Sequence, residues 1–465
     1  MLKFTKLGEE VNLIKEYIDR TEINFCDISQ GVKYMWRDTV LQEYAVYNNT
    51  LIFKERNSHG RLAFYYPMGD DVLGAIEKIE EYCIAEHLPL VFGYLDEKKV
   101  ALLQERYFDT QKDNDRDWCD YVYLAENFKT YAGKKLSGQR NHVNKFKKSY
   151  PDYSFECITS ENLQDAIEFI KEHNAKREQA GKIEELERKH SLSLTENIFN
   201  LNQKGGMLRV GGKIVAVSVG EQVNDTLIVH VEKADTDYAG VYPTMAQEFA
   251  KAYATGGIIY INREEDCGDL GLRTSKMQYR PFEIKYKNFL LVKTLFDRVD
   301  LELSLSTERL TVGRIEKADA QDYARLYTDE ELNVMWGYDY KTDLKDKEPS
   351  PEYFFEFQQS LVDKKEEISF AVKEKGKMVG ELVLHNFDYY GGVEMGFRFF
   401  KKAQGKGYAT ESASALKEYV FKQLGAKTLK SRCFKQNEKS RRLIERLGLT
   451  LYKEDQTHYY FSSLK

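Results

Sequence analysis

From Phe399 onward the chain reads Phe399, Phe400, Lys401, Lys402, Ala403, Gln404, Gly405, Lys406, Gly407, Tyr408, Ala409, Thr410, Glu411. A strand-like segment meets two glycines separated by one residue, and helix-forming residues follow at once. This junction narrows the folds open to the chain, because it calls for a layered α/β arrangement in which the end of a strand delivers the backbone to the head of a helix. It also points to chemistry. Glycine at 405 and 407 lets the main chain approach a ligand with no Cβ in the way, and a helix start offers unpaired N–H donors at a positive dipole end. A pyrophosphate fits such a turn. The same letters also occur in ordinary loops, so the neighbourhood has to decide.

Upstream, Val393, Met395, Phe397 and Phe399 fall on one face of a period-two segment, with Glu394 and Arg398 on the other. Ile368 to Lys373 and Met378 to His385 read as two strands about the turn Glu374-Lys375-Gly376-Lys377, a meander that leads into the glycine turn. Downstream, Ala409, Ala413, Leu416, Val420 and Leu424 recur at helical spacing until Gly425 stops the helix. A strand from Lys427 to Phe434, a short helix capped near Asn437 and closed by Gly448, and a final hairpin of Leu449 to Glu454 with His458 to Ser462 complete the order. Between Lys401 and Arg446 stand thirteen Lys and Arg against four Glu, in a chain of formal net charge −6. Such a local field either draws in an anion with several phosphates or coats a solvated face.

At 465 residues the chain exceeds what one core supports, and its length suggests about three domains. With 42% hydrophobic and 31% charged residues it is globular rather than disordered or fibrous. The six cysteines form no C-x-x-C pair and the eight histidines no H-E-x-x-H spacing, so neither a disulfide framework nor a metal is expected. No apolar run approaches the roughly 20 residues that span a bilayer, and the first ten residues lack a secretory apolar core. The expectation is a cytoplasmic chain without membrane insertion.

Three stretches in order, Ser306-Thr307-Glu308-Arg309-Leu310, Gln404 to Glu411, and Asn437-Glu438-Lys439-Ser440, resemble the GNAT superfamily of acyl-coenzyme A N-acyltransferases. The closest likeness is to the branch that includes the ribosomal-protein-alanine N-acetyltransferases, over residues 304–465. The resemblance implies acetyl-coenzyme A as cosubstrate, bound by Lys402, Gln404, Gly405, Lys406, Gly407, Tyr408 and Ala409, with Asn437 on the pantetheine arm. Lys402 stands where the family usually has Gln or Arg, which keeps a donor. Acyl transfer from a thioester to an amine needs a base, an N–H donor for the carbonyl and an acid for the thiolate. Glu394 is the expected base and Glu381 the second candidate, although Glu394 suits an ion pair with Arg398 equally well. The resemblance implies Ser440 as the acid, though it also fits a helix cap, with Tyr452 in reserve; a backbone N–H near Phe399 or Phe400, where the strand should splay, would polarise the carbonyl. The acceptor would be a primary amine on a small molecule or peptide, entering past a charged loop from Tyr340 to Pro351.

Residues 1–300 repeat the meander. Met207 to Val210, Lys213 to Glu221 and Thr226 to Glu232 read as strands, followed by a helix from about Pro243 to Ala254 and a strand Ile258 to Asn262. The words His230 to Asp235, Ile261 to Asp266, Gly271 to Arg273 and Arg140 to Phe146 resemble the C-terminal catalytic domain of phosphatidylglycerol lysyltransferases, a tandem of two GNAT-like folds. The chain is therefore expected to hold three GNAT-like α/β folds with mixed sheets, over 1–130, 131–300 and 304–465. Glu232, Lys233, Arg263, Glu264, Asp266 and Arg273 form a candidate N-terminal site, where a carboxylate could act on an amine and an arginine could fix an anion; structural ion pairing explains them almost as well. In place of the glycine turn this repeat has Tyr238-Ala239-Gly240-Val241-Tyr242-Pro243, which does not suit coenzyme A. Gly133 to Tyr150 carries Lys and Arg without an acid, which reads as a solvated face or a grip on RNA phosphates. Three functions follow: an acetyl-coenzyme A-dependent N-acetyltransferase, an aminoacyl-tRNA-dependent aminoacyltransferase in the N-terminal region, or a non-catalytic N-terminal module that recruits the acetyltransferase's partner.

Overall fold

A computed structural model describes residues 2–8, 11–22, 25–56, 60–176, 182–344 and 348–464. Among them the chain forms three mixed sheets flanked by helices, an α/β architecture, and divides into two compact units. One comprises Met1–Ala101 with Lys112–Leu291, the other Leu102–Gln111 with Val292–Lys465.

In the first unit one sheet places Thr5–Lys6, Leu41–Tyr47, Thr50–Arg56, Leu62–Tyr65 and Val91–Leu95 side by side. The other follows the order Glu283–Lys285, Asp120–Leu124, Tyr260–Asn262, Thr226–Ala234, Lys213–Val223, Lys204–Val210 and Ser154–Cys157. The meander is present, and the helix Val241–Tyr253 crosses over to the parallel strand Tyr260–Asn262. The near-continuous apolar runs of these strands reflect burial on both faces. Leu51, Phe53 and Tyr65 of the first sheet share a single core with Val217, Val219 and Ile228 of the second.

The second unit holds a sheet ordered Ser304–Ser306, Leu310–Arg314, Glu367–Glu374, Lys377–His385, Gly392–Phe399, Thr428–Phe434, His458–Leu464 and Thr450–Glu454. Val393, Met395 and Phe399 bury one face of their strand against Leu416 and Val420 of the helix Tyr408–Lys422. The opposite face lies toward Tyr327 of the helix Ala320–Thr328 and Trp336. The core takes up chain on the N-terminal side of Ser304, since Leu295, Phe296, Val299 and Leu303 are buried in it.

Phe108 belongs to this unit as well. Its N–H donates to the Tyr389 carbonyl at 3.0 Å, and the Arg298 guanidinium covers its ring at 4.5 Å. A Cβ on Gly391 would come within 2.6 Å of that ring. Phe108→Ala is expected to destabilise the second unit by about 2 kcal/mol, below the usual loss for a fully buried phenylalanine because this ring is half-buried. Urea unfolding followed by tryptophan fluorescence reads the shift, and an unchanged midpoint would show the segment to be dispensable.

Candidate active site

The strands Gly392–Phe399 and Thr428–Phe434 run parallel and pair only at Gly392 with Thr428, Val393 with Leu429 and Glu394 with Lys430. Beyond Glu394 they part, and Ser431 Oγ donates across the fork to the Met395 carbonyl at 2.9 Å. The Phe400 N–H donates to Val379 on the other neighbour at 3.1 Å. By strand alternation the backbone groups of Phe397 and Phe399 therefore face the gap. Gln404 Nε2 takes the Phe399 carbonyl at 3.1 Å, which leaves two N–H groups toward the opening. The splay thus begins earlier than the sequence implied, and Phe400 is not available to polarise a carbonyl.

One 3-10 turn, Lys401–Ala403, separates the strand from the glycines, a step the sequence reading passed over. Gly405 and Gly407 have φ of 77° and 81°, left-handed conformations that cost other residues about 1–2 kcal/mol. A Cβ at Gly405 would meet nothing within 4 Å, so the turn opens outward. Gly407 is the N-cap of the helix Tyr408–Lys422 and no side chain caps it, which leaves its leading N–H groups without a capping acceptor. Lys402, Gln404 and Lys406 are exposed around the turn; Tyr408 is buried with its hydroxyl on Glu374, and Ala409 packs against the core.

Arg309, noticed in the sequence only as part of a motif, fixes this turn. Its Nη1 donates to the Lys406 carbonyl at 3.0 Å and its Nε to Glu411 Oε2 at 2.8 Å, while Thr307 Oγ1 donates to Glu411 Oε1 at 2.6 Å. Arg309→Ala is expected to weaken acetyl-coenzyme A binding about tenfold, a loss of about 1.4 kcal/mol, because the loop loses its tether while its glycines remain. Calorimetric titration decides it; unaltered affinity would mean that the turn holds its shape unaided.

Glu394 stands at the fork with Oε2 accepting from Asn386 Nδ2 at 3.0 Å and Oε1 3.3 Å from Arg432 Nε. Its expected partner Arg398 is engaged elsewhere. Arg398 Nε donates to Glu381 Oε1 at 2.8 Å, Nη2 contacts the same oxygen, and Nη1 donates to Asn333 Oδ1 at 2.6 Å. Tyr327 and Trp336 cover that guanidinium at 4.3 and 5.0 Å. Glu381 is fully buried, and burial holds its carboxyl above the ordinary value against the pull of Arg398. Glu381 is thus buried in a pair with Arg398. Asn437 Oδ1 accepts the Ser440 N–H at 3.1 Å, so Asn437 caps the helix Glu438–Arg446 and Ser440 lies in its first turn, half-buried. The entrance loop is partly helical: Tyr340–Leu344 forms one turn and Ser350 caps Pro351–Asp363, while residues 345–347 lie outside the described residues.

The second sheet of the first unit has a comparable fork, since Thr226–Ala234 pairs with Tyr260–Asn262 only as far as Ile228 with Asn262. Its turn is closed. A Cβ on Gly240 would run into the His142 carbonyl, because the helix Ser137–Ser149 packs over the head of Val241–Tyr253. Behind it a small space remains, walled by Phe128, Leu227 and Phe249, where Arg263 Nε donates to Glu232 Oε2 at 2.8 Å with the guanidinium over Tyr279 at 4.6 Å.

Each of the six residues of the candidate N-terminal site is held by a neighbour. Besides Arg263 with Glu232, Lys233 pairs with Glu187 at 2.7 Å and Glu264 Oε1 lies 2.6 Å from His230 Nδ1. Arg273 Nε donates to Asp266 Oδ2 at 2.8 Å. Burial works to raise the Asp266 carboxyl, but hydrogen bonds from Arg273 and Tyr121 outweigh it and hold the group at about 2. Burial likewise opposes a charge on His230, yet Glu221 and Glu264 raise the imidazole to about 9.

A cluster that the sequence did not reveal lies close by: Cys26, Asp27, Asp120 and Glu265, with ligand atoms within 4.8 Å of one another. The Lys287 ammonium sits among them, 2.8 Å from Asp120 Oδ1 and in contact with Asp27 and Glu265. Burial still raises the Asp27 carboxyl to about 7.

Strands that part beside an outward-opening glycine turn at the head of a helix define an acyl-coenzyme A-dependent N-acyltransferase fold in the second unit. The chain belongs to the phosphatidylglycerol lysyltransferase C-terminal family, whose model matches residues 22–289, and residues 309–450 match the acetyltransferase (GNAT) domain. The second unit therefore carries an acetyltransferase domain. An uncharacterized N-acetyltransferase, YnaD, of Bacillus subtilis (strain 168) is 28% identical over 87 residues, 19% of this chain; the match spans only about half of that relative, 51%. An uncharacterized N-acetyltransferase, p20, of Bacillus licheniformis is 26% identical over 146 residues, covering 31% of this chain and 81% of the relative. The crystal structure of a conserved protein of unknown function from Bacteroides thetaiotaomicron VPI-5482 is 32% identical, covers 63% of this chain and 100% of its own, and superposes with a TM-score of 0.58. Among the described residues no helix is long and apolar enough to cross a membrane.

Proposed function

We propose that the second unit transfers the acetyl group of acetyl-coenzyme A to a primary amine by direct attack. The observation that carries this reading is the pair of left-handed glycines at an uncapped helix head, open to the outside and next to parting strands. The backbone of residues 405–409 and the exposed Lys402 and Lys406 would hold the diphosphate, and Asn437 the pantetheine arm. Acetyl-coenzyme A supplies an activated thioester. The N–H groups of Phe397 and Phe399 would polarise its carbonyl, Glu394 would govern the proton of the amine, and Ser440 would protonate the departing sulfur. The acceptor is an amine on a small molecule or a peptide. Calorimetric titration of the full chain with acetyl-coenzyme A tests the reading; absence of binding would refute it.

For the first unit, the aminoacyl-tRNA reading is favoured by one feature, the exposed row Lys134, Lys135, Lys145 and Lys148 in a stretch without acids. Binding of charged tRNA that weakens steeply with added salt is its test.

A further inference from the structure

A row of side chains crosses the third sheet at the fork. Register sets Glu367 opposite His385 and His385 opposite Glu394. Arg432 joins from the next strand and is itself opposite Tyr460. His385 ends its strand level with Glu394, the last paired residue before the strands part. Its Nε2 lies 3.9 Å from Glu394 Oε1, beyond hydrogen-bond range yet close enough for a charge on the ring to be felt, and 21% of the side chain remains exposed.

Glu394 is already engaged by Asn386 and Arg432, so it serves more readily as a counter-ion than as a proton acceptor. The charged and titratable groups around the imidazole are Glu367 from one neighbouring strand, Glu394 from the other and Arg432 beyond it, with Asn386 adjacent in the chain. Burial lowers the His385 pKa, with Glu394 and a hydrogen bond to Asn386 opposing and Arg432 assisting, which leaves the ring neutral near pH 7. Burial, then Glu381, raises Glu367 to about 7, so it is in part uncharged there.

The geometry points to His385 as the proton acceptor for the attacking amine, with Glu394 as the positioning residue that stabilises the imidazolium. This rests on the acetyl-transfer reading above. As the amine nitrogen bonds to the acyl carbon and the carbon–sulfur bond breaks, one N–H proton passes to His385 Nε2. The electron pair of the broken bond leaves with sulfur, which takes a proton from Ser440. The imidazolium then releases its proton to water, from which Ser440 is reprotonated.

The test uses the full chain, acetyl-coenzyme A and ethanolamine as probe amine, with thiol release followed from about pH 5 to 9. Wild-type kcat/KM, calculated on the neutral form of the amine so that the probe's own ionisation drops out, is expected to fall as pH drops through one ionisation below that of ordinary imidazole, because only the neutral ring accepts a proton. His385→Gln should lose about 100-fold or more, and lose that acidic limb, while binding acetyl-coenzyme A as before. Glu394→Gln should keep the limb but move it to lower pH, since the imidazolium loses its counter-ion. A His385→Gln profile matching wild type, or a wild type that binds acetyl-coenzyme A without an acidic limb, would overturn the assignment. If the glutamine variant does not bind acetyl-coenzyme A, Glu394→Gln decides, and an unmoved limb counts against His385. Failure of the wild type to bind acetyl-coenzyme A would instead sink the acetyl-transfer reading itself.

Discussion

Gly407→Asp is expected to reduce acetyl-coenzyme A affinity more than 100-fold, about 3 kcal/mol, while leaving the fold intact. Two costs add. At φ 81° any side chain strains the backbone by about 1–2 kcal/mol. A carboxylate there also opposes the diphosphate and stands close to Arg309, since a Cβ would lie 3.3 Å from Nη2, so it draws that guanidinium from the Lys406 carbonyl and Glu411. Gly405→Asp should behave alike through charge, since nothing lies within 4 Å of its Cβ position. Gly407→Ala separates the terms, losing only about tenfold because it carries strain without charge. Calorimetry gives the affinities and the thermal midpoint checks the fold. Wild-type affinity in both aspartate variants would place the cosubstrate elsewhere.

Lys287→Met should have the largest effect on stability, about 3–5 kcal/mol, seen as a drop of about 10 °C in the calorimetric transition of the first unit. The substitution keeps the volume of the buried side chain but removes the ammonium that contacts Asp27, Asp120 and Glu265. Asp120 keeps the Cys26 N–H at 2.8 Å and Asn262 Nδ2 at 2.7 Å, which do not offset a lost charge. The carboxyls then have folded pKa values raised above their unfolded ones. Stability from such groups is present below the unfolded pKa and lost as pH rises through the folded one. Asp27, at about 7 even with Lys287 present, already behaves this way. The gap between variant and wild type should therefore widen from about pH 5 to pH 8. Adding Asp27→Asn should restore part of the loss. A constant gap would mean that the cluster is not ionised in the native chain.

The sequence disclosed most where chemistry and local geometry coincide. Gly405 and Gly407 could be read because a left-handed turn at a helix head leaves few other residues acceptable, and Asn437 because a cap is decided within one turn of helix. The alternation of Val393, Met395 and Phe399 named a buried face that is observed. What escaped depended on distant partners. Glu381 reads as a candidate base, yet Arg398 pairs with it, and Asn333, Tyr327 and Trp336 close around that guanidinium so that the pair is buried. The charged run at 263–273 looks like one site, but Arg263 and Glu264 turn to Glu232 and His230, while Arg273 pairs with Asp266 inside the run and with Asp117 outside it.

The sequence alone determined the order of elements, the double-glycine turn and its basic surroundings, since periodicity, glycine and local charge act over a few residues. Tertiary structure decided which glycine turn is open and which is closed by a neighbouring helix, which carboxylates lie at the fork, and how Lys287 meets acids contributed from both ends of its unit. Those outcomes rest on side-chain burial and Coulomb pairing between residues far apart in the chain, which no local pattern records.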